Sequence, residues 1–215
     1  VVPVRAHPQR HKDAQGAPEA TPRSTAEPLT PEEDYQRNGT RSAAFKAWFG
    51  DWEHDAANAS KVVNENGEPL KVFHGTPRAA FTEFDPDLVG TISDEGFYGR
   101  GFYFTSSRAE AESYAKRWGS TGNIIEAYLN VRHPFIIDFR THDAARLTMD
   151  RIKAVGATLN WSGFVIERGS FQDKLIAAGY DGIMAWRSDR DNVEVVVFAP
   201  EQVKAVDNAG TFDPG

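Results

Sequence analysis

The chain has 215 residues, of which 40% are apolar and 12% aromatic, a composition typical of a globular protein with one hydrophobic core. It contains no cysteine, which excludes disulfides, thiolate metal sites and a cysteine nucleophile. The net charge of −7 argues against a protein that holds long nucleic acid by neutralising its phosphates, and no apolar run approaches the roughly 18 residues of a membrane-spanning helix.

Residues 1–42 predict a linker or a mobile N-terminal arm. They contain six of the twelve prolines and almost no large apolar side chain after Val4, so they bury too little surface to offset the entropy of ordering. The chain starts at Val1 without a basic-then-apolar leader, so we expect no signal peptide and a piece of a longer polypeptide. One folded domain is predicted over residues 43–215.

The first folded elements are predicted between residues 43 and 76. The segment SAAFKAWFGDW predicts a short aromatic-rich helix that Gly50 ends. Two apolar stretches, KVV and PLKVFHG, flank residues 64–67, whose asparagine and glycine indicate a tight hairpin. His74 is then expected at the far end of the second strand.

The next segment predicts an aromatic strand followed directly by a helix. GFYFT is the strand, and Ser107 with Glu110 three residues later forms a capping box at the start of the helix. Four residues have the spacing of one helix face: Ala111, Tyr114, Ala115 and Trp118.

The second half mixes helices and strands without regular alternation. NIIEAYLNV predicts a strand, which HPFIIDF continues after a break at Pro134. Helices are predicted over AARLTMDRIKAVG and over FQDKLIAAG, the second ended by Gly179. GIMAW and VEVVVFA predict two late strands. This order favours an α+β fold with a split, mainly antiparallel sheet over a doubly wound parallel one.

Three common kinds of site lack their motifs. No two histidines stand four apart within a predicted helix, and His7 and His11 lie in the proline-rich arm, so we expect no metal site. The GRG at 99–101 leads into a strand and has no lysine-serine partner, which disfavours a dinucleotide or phosphate loop. No GxSxG marks a serine nucleophile.

The first two candidates for binding or chemistry are an imidazole, His74, and an aromatic ring, Tyr103. His74 precedes Gly75, whose backbone can approach a ligand closely, although a strand-end histidine is commonly structural. Tyr103 lies in the aromatic run GFYF, and Tyr114 lies on an apolar helix face; simple packing would explain either.

Glu194 is the third candidate. It lies one residue inside the strand VEVVVFA, where it can face solvent while Val193 and Val195 face inward. Val196 and Phe198 share its face, however, so a carboxylate there is only partly solvated. Carboxylates in such places often have functions.

Together these motifs resemble a known enzyme class. HGT, then GRGFYF with a second tyrosine eleven residues after the first, then a glutamate with Gln-Val eight residues later, resemble the diphtheria-toxin-like or poly(ADP-ribose) polymerase-like ADP-ribosyltransferases, whose signature is His, Tyr, Glu. WFGDW, SKVVNENGEPLKVFHGT, GYDGI and PEQVKAVDNAGTFD are similar to the ADP-ribosyltransferase domains of phage and plasmid polyvalent proteins and bacterial polymorphic toxins. The resemblance runs from about residue 45 to 213.

The resemblance implies a catalytic domain over residues 43–215 that grips NAD, as a substrate and without metal, in a cleft of the split sheet. It implies that His74 bonds the adenosine-side ribose and that the Gly75 backbone meets the nicotinamide carboxamide. Tyr114 would stack on the nicotinamide ring, and Tyr103 would lie against its other side or against the adjoining ribose. Glu194 would bond the nicotinamide-ribose hydroxyl. Catalysis is thus assigned to His74, Tyr103 and Glu194.

Two positions depart from the family pattern. Related polymerases have a small hydroxyl residue three positions before the second tyrosine, where this chain has Ala111, so the carboxamide would need another partner such as Thr76. Asn192 stands where arginine-modifying toxins have a second acid, which makes arginine a less expected acceptor. Transfer of a single ADP-ribose is expected.

The chemistry is consistent with these roles, because loss of nicotinamide leaves an oxocarbenium-like sugar that a nearby carboxylate stabilises. We predict a mono-ADP-ribosyltransferase acting on protein or RNA, with Arg187 and Arg190 as a possible RNA contact. The expected setting is a toxin or effector domain of a larger secreted or injected protein, acting as a monomer in the target-cell cytoplasm. An immunity protein is a further expectation. The alternatives are an NAD glycohydrolase and an inactive module that binds ADP-ribose or a partner.

Overall fold

Among the residues that the structure describes, seven strands form one sheet. A computed structural model describes residues 29–77, 84–85, 96–117, 122–158, 168–188 and 191–207. The strands are β1 Val72–Thr76, β2 Phe102–Thr105, β3 Asn123–Leu129, β4 Pro134–Asp138, β5 Gly182–Trp186, β6 Val193–Val197 and β7 Val203–Ala205. The helices are α1 Pro31–Asn38, α2 Ala43–Phe49, α3 Arg108–Ala115, α4 His142–Ala154 and α5 Arg168–Ala177, with 3₁₀ helices at Gly39–Arg41 and Pro200–Gln202.

The sheet is nearly divided in the middle. The strand order is β4-β5-β6-β2-β1-β3-β7, and neighbours run antiparallel except β4 and β5. β1 is paired with β3 over its whole length, but with β2 only at Phe73 and Thr105. The predicted α+β fold with a split, mainly antiparallel sheet is therefore confirmed.

Apolar side chains are buried on both faces of the central strands. One face, called here the α5 face, is lined by Phe135, Ile137, Ile152, Phe171, Leu175, Ile183 and Val196. The opposite face is lined by Val62, Val72, Phe102, Phe104, Val195 and Val197. Successive residues of a strand point to alternate faces, so a strand buried on both sides has an unbroken apolar run such as that of β5.

The helices begin and end where local signals predict. The Ser42 side chain caps α2, and Gly50, with φ of 100°, follows its last residue. The Ser107 side chain caps α3, and Gly179 follows α5 with φ of 86°. Trp118, predicted on the face of α3, lies outside the described residues. Within the described part of the chain, no helix has the length and apolar character needed to span a membrane.

The predicted hairpin is a tight turn with one bridge rather than two paired strands. The Gly67 N–H donates to the Asn64 carbonyl at 2.9 Å, and Val63 is bridged to Pro69. β1 starts beyond this turn and pairs with β3 as far as Thr76. The expectation that His74 ends the strand is therefore wrong: His74 lies in the middle of β1, because β3 continues the ladder past it.

Part of the predicted arm packs against α2. Residues 31–41 form α1 and a 3₁₀ helix, and Tyr35 stacks on Phe45 with ring centroids 6.2 Å apart. A capping box between Thr30 and Glu33 begins α1. Residues 1–28 lie outside the described residues, and the domain boundary at residue 42 stays a prediction.

Candidate active site

The residues His74, Tyr103 and Glu194 come from three neighbouring strands, β1, β2 and β6. Thr105 in β2 connects them, because it is the Cα partner of both Phe73 in β1 and Glu194 in β6. Partners across antiparallel strands share a face. Tyr103 and Glu194 therefore lie on the α5 face, whereas His74, next to Phe73 in its strand, lies on the opposite face.

Glu194 stands at the polar end of an apolar face. It is half-buried, and its partner in β5 is the buried Ala185. The next residue on its face, Val196, is fully buried, and Phe198 packs against the same core. Limited access of water strengthens the effect of a carboxylate on a positive charge that develops beside it.

Tyr103 holds the turn that precedes its strand. Its hydroxyl donates to the Gly99 carbonyl at 2.7 Å and accepts from the Tyr98 N–H at 3.0 Å. Gly96 contacts the ring so closely that a Cβ there would overlap it. The phenol therefore fixes residues 96–101 over the α5 face, beside the strand that carries Glu194.

The His74 imidazole is packed among aromatic rings. It contacts Phe84 with ring centroids 5.3 Å apart and Phe104 at 5.5 Å. Burial lowers its pKa, although a hydrogen bond to the Tyr103 carbonyl, with Nδ1 and the oxygen 2.8 Å apart, opposes this in part. A carbonyl only accepts, so Nδ1 carries the proton and Nε2 is the acceptor nitrogen of the neutral ring.

Gly75 lets α3 approach β1 at backbone distance. A Cβ at this position would overlap the carbonyl of Ala111. Past Phe73, no register pair joins β1 to β2 among the described residues, so Gly75 lies where the two halves of the sheet separate. Thr76 is buried and shares the strand face of His74, so it is not on the face where Ala111 packs.

Tyr114 presents its ring to a cation. It is half-buried on α3, while Ala111 and Ala115 are buried beneath the helix. The Arg117 guanidinium lies 3.8 Å from the centroid of the Tyr114 ring. Aromatic rings attract flat cations in this way, and the oxidised nicotinamide ring is another flat cation.

The structure adds a polar group that the sequence did not indicate as part of the site. Glu110 accepts hydrogen bonds from the Thr105 hydroxyl at 2.7 Å and from the Asn192 amide at 2.6 Å. The predicted capping box is confirmed only by half: the Ser107 side chain accepts from the Glu110 N–H, but the Ser107 N–H donates to Thr105. The sequence signal is Asn192, two residues before Glu194, which by sequence alone shows only a departure from a family pattern.

A group of potential metal ligands lies just beyond α2. Asp51, Glu53 and His54 bring ligand atoms within 4.8 Å of one another. Lys46 binds both carboxylates, at 3.0 Å and 2.5 Å, and Arg41 binds Glu53 at 3.0 Å. These hydrogen bonds raise the pKa of Lys46 and lower those of Asp51 and Glu53. Ion pairing accounts for the arrangement of the group.

Comparison with known proteins identifies the family of the chain. The model of a family described as ADP-ribosyltransferase in polyvalent proteins matches residues 64–212, about two thirds of the chain. The match includes β1 to β7 and hence the strands that hold His74, Tyr103 and Glu194. A search of curated proteins found no match. Because the family model covers the whole sheet, the chain belongs to the ADP-ribosyltransferases of polyvalent proteins.

Proposed function

We propose that this domain is a mono-ADP-ribosyltransferase, which moves one ADP-ribose from NAD to a macromolecular acceptor and releases nicotinamide. Its family supports ADP-ribosyltransferase activity in general. For this chain, the proposal depends on the position of Glu194. Its half-buried carboxylate lies on an apolar face of the sheet, and its strand β6 pairs with the strand β2 that carries Tyr103.

Glu194 has the setting that the reaction needs. The bond between C1′ of the ribose and the nicotinamide nitrogen breaks, and nicotinamide leaves with the electron pair. The sugar becomes positively charged as the bond lengthens, which is the problem that glycosidases solve with a carboxylate. Glu194 stabilises this charge, and the surrounding apolar side chains keep its interaction with the sugar strong.

The other signature residues bind and position NAD. His74 lies on the opposite face of the sheet and acts by positioning: its Nδ1–H bonds the Tyr103 carbonyl and so holds β2 beside the strand of Glu194. Tyr114 stacks on the nicotinamide ring as it does on Arg117, and the Gly75 backbone bonds the carboxamide at the divergence of β1 and β2. Tyr103 contributes by holding residues 96–101 beside the substrate.

The proposed biological setting takes the family description as its starting point. Polyvalent proteins supply the context in which related domains occur. We propose that this domain acts as a toxin or effector unit of a larger polypeptide, in the cytoplasm of a target cell. Its acceptor is a protein or an RNA.

The test compares labelling by three proteins. Wild type, Glu194→Gln and the control Glu201→Gln, which changes an exposed carboxylate beyond the other end of β6, are incubated with labelled NAD and a cell lysate. We expect equal labelling by wild type and the control, and a loss of about 10²–10³-fold in Glu194→Gln. Equal labelling by all three would remove the catalytic assignment of Glu194. Free ADP-ribose formed at one rate with and without lysate would instead identify a glycohydrolase.

A further inference from the structure

The carboxylate of Glu110 is held in place from two directions. The Thr105 oxygen accepts from the Ser107 N–H at 3.1 Å and from the Asn192 amide at 2.8 Å. With both acceptor positions used, the single hydroxyl proton of Thr105 goes to Glu110 Oε2. The second amide hydrogen of Asn192 goes to the same oxygen. Glu110 thus receives two donors on one oxygen, from strand β2 and from the residue before β6.

This network is adjacent to Glu194. Thr105 is the Cα partner of Glu194, so their side chains share the α5 face. Asn192 precedes Glu194 by two residues, immediately before the strand β6. Both groups that fix Glu110 are therefore direct neighbours of Glu194, one across the sheet and one along the chain. The result is a second carboxylate, supplied by α3, beside the first.

Helix capping alone does not explain this orientation. Glu110 is the third residue of α3, from which a glutamate usually reaches back to the N–H of the cap residue. Here that N–H, of Ser107, is bonded to Thr105 instead. The Glu110 side chain is directed toward β6, where it accepts a hydrogen bond from the amide of Asn192, 82 positions away in the chain.

We propose that Glu110 is the general base that accepts the proton of the incoming acceptor group. This inference rests on the proposed function and adds a second catalytic residue to it. As the acceptor, a hydroxyl, an amine or another X–H group, bonds to C1′, its proton passes to the Glu110 carboxylate, and neutral nicotinamide leaves. Glu194 stabilises the sugar, and Glu110 activates the nucleophile as the general base of an inverting glycosidase does.

Two adjacent carboxylates also select the acceptor. A neutral or cationic X–H group is attracted to this site, whereas a phosphate oxygen is repelled. Within the proposed choice of protein or RNA, the site therefore favours a nucleophile on a protein side chain over one close to a phosphate.

The test separates base catalysis from structural support. Glu110→Gln and Glu110→Ala are compared with wild type and with Glu112→Gln, a control on the same helix whose carboxylate pairs with Arg108 and Lys116 on the exposed side. We expect NAD affinity measured by calorimetry to stay within about twofold, while turnover of NAD falls about 10²-fold or more in both Glu110 variants. Turnover in Glu112→Gln should match wild type. The acidic limb of the pH profile of kcat/KM should flatten in Glu110→Gln.

Azide gives the decisive measurement. It attacks C1′ as an anion and needs no base, so added azide should restore NAD cleavage in Glu110→Ala and form ADP-ribosyl azide, detected by mass. Glu194→Gln should not be rescued, because it lacks the group that stabilises the sugar. Turnover of Glu110→Gln within threefold of wild type, or no rescue by azide, would overturn the role of Glu110 alone. A wild-type protein that does not cleave NAD would overturn the proposed function itself, and this inference with it.

Discussion

The contact between α3 and β1 makes the substitution Gly75→Ala a sharp test of the structure. An added Cβ would overlap the carbonyl oxygen of Ala111, with the Ala111 carbonyl carbon and Cα close behind it. These are main-chain atoms of a helix, so no side-chain rotation relieves the overlap. The helix and the strand have to move apart toward a normal separation of about 3.5 Å.

The loss of stability in Gly75→Ala follows from the rigidity of the two backbones. Overpacking a well-packed site costs about 1–3 kcal/mol, and a clash between two backbones belongs at the upper end. For a chain of this size, about 3 kcal/mol corresponds to a fall in Tm of about 6–12 °C. NAD affinity should fall as well, because α3 carries Tyr114 and would be displaced from β1.

The assay is thermal unfolding followed by circular dichroism, with Gly67→Ala as the matched control. Gly67 has φ of 79° but nothing within 4 Å of an added Cβ. The Gly67→Ala substitution should therefore lower the free energy of unfolding by only about 1–2 kcal/mol, the cost of a positive φ at alanine. A Gly75→Ala protein that melts within 2 °C of wild type, or above Gly67→Ala, would refute the close packing of α3 on β1.

Two further predictions concern the signature residues. His74→Asn should flatten the dependence of Tm on pH between 5 and 8. Burial lowers the pKa of His74 in the folded state, so the wild-type protein loses stability as the pH falls below the unfolded-state pKa of about 6.5. The free energy of unfolding then falls by at most about 1.4 kcal/mol per pH unit. An unchanged profile would argue against a neutral His74 whose pKa is lowered by its surroundings. Tyr103→Phe removes the hydroxyl that bonds the Tyr98 N–H and the Gly99 carbonyl. This loss should lower the free energy of unfolding by about 1–3 kcal/mol. Hydrogen exchange at Tyr98 should then accelerate, and unchanged protection would contradict the anchoring role of the phenol.

The sequence by itself determined most of the helices and strands, although not α1 or β7, and it determined the family. Alternating or continuous apolar runs predicted β2, β3, β5 and β6, and the signals at Gly50, Ser107 and Gly179 predicted where helices begin or end, because capping and strand periodicity act over a few residues. Motif order predicted the ADP-ribosyltransferase family, which the family match confirms.

Only the tertiary structure decided which side chains share a face. Strand register between β1, β2 and β6 separates the His74 ring from Tyr103 and Glu194, and a shift of one residue would reverse that arrangement. The orientation of Glu110 depends on Asn192, far away in the chain, so local signals predicted a helix cap where the fold builds a second carboxylate beside Glu194. Short-range preferences are encoded in neighbouring residues, whereas hydrogen bonds across strands exist only after the sheet has assembled.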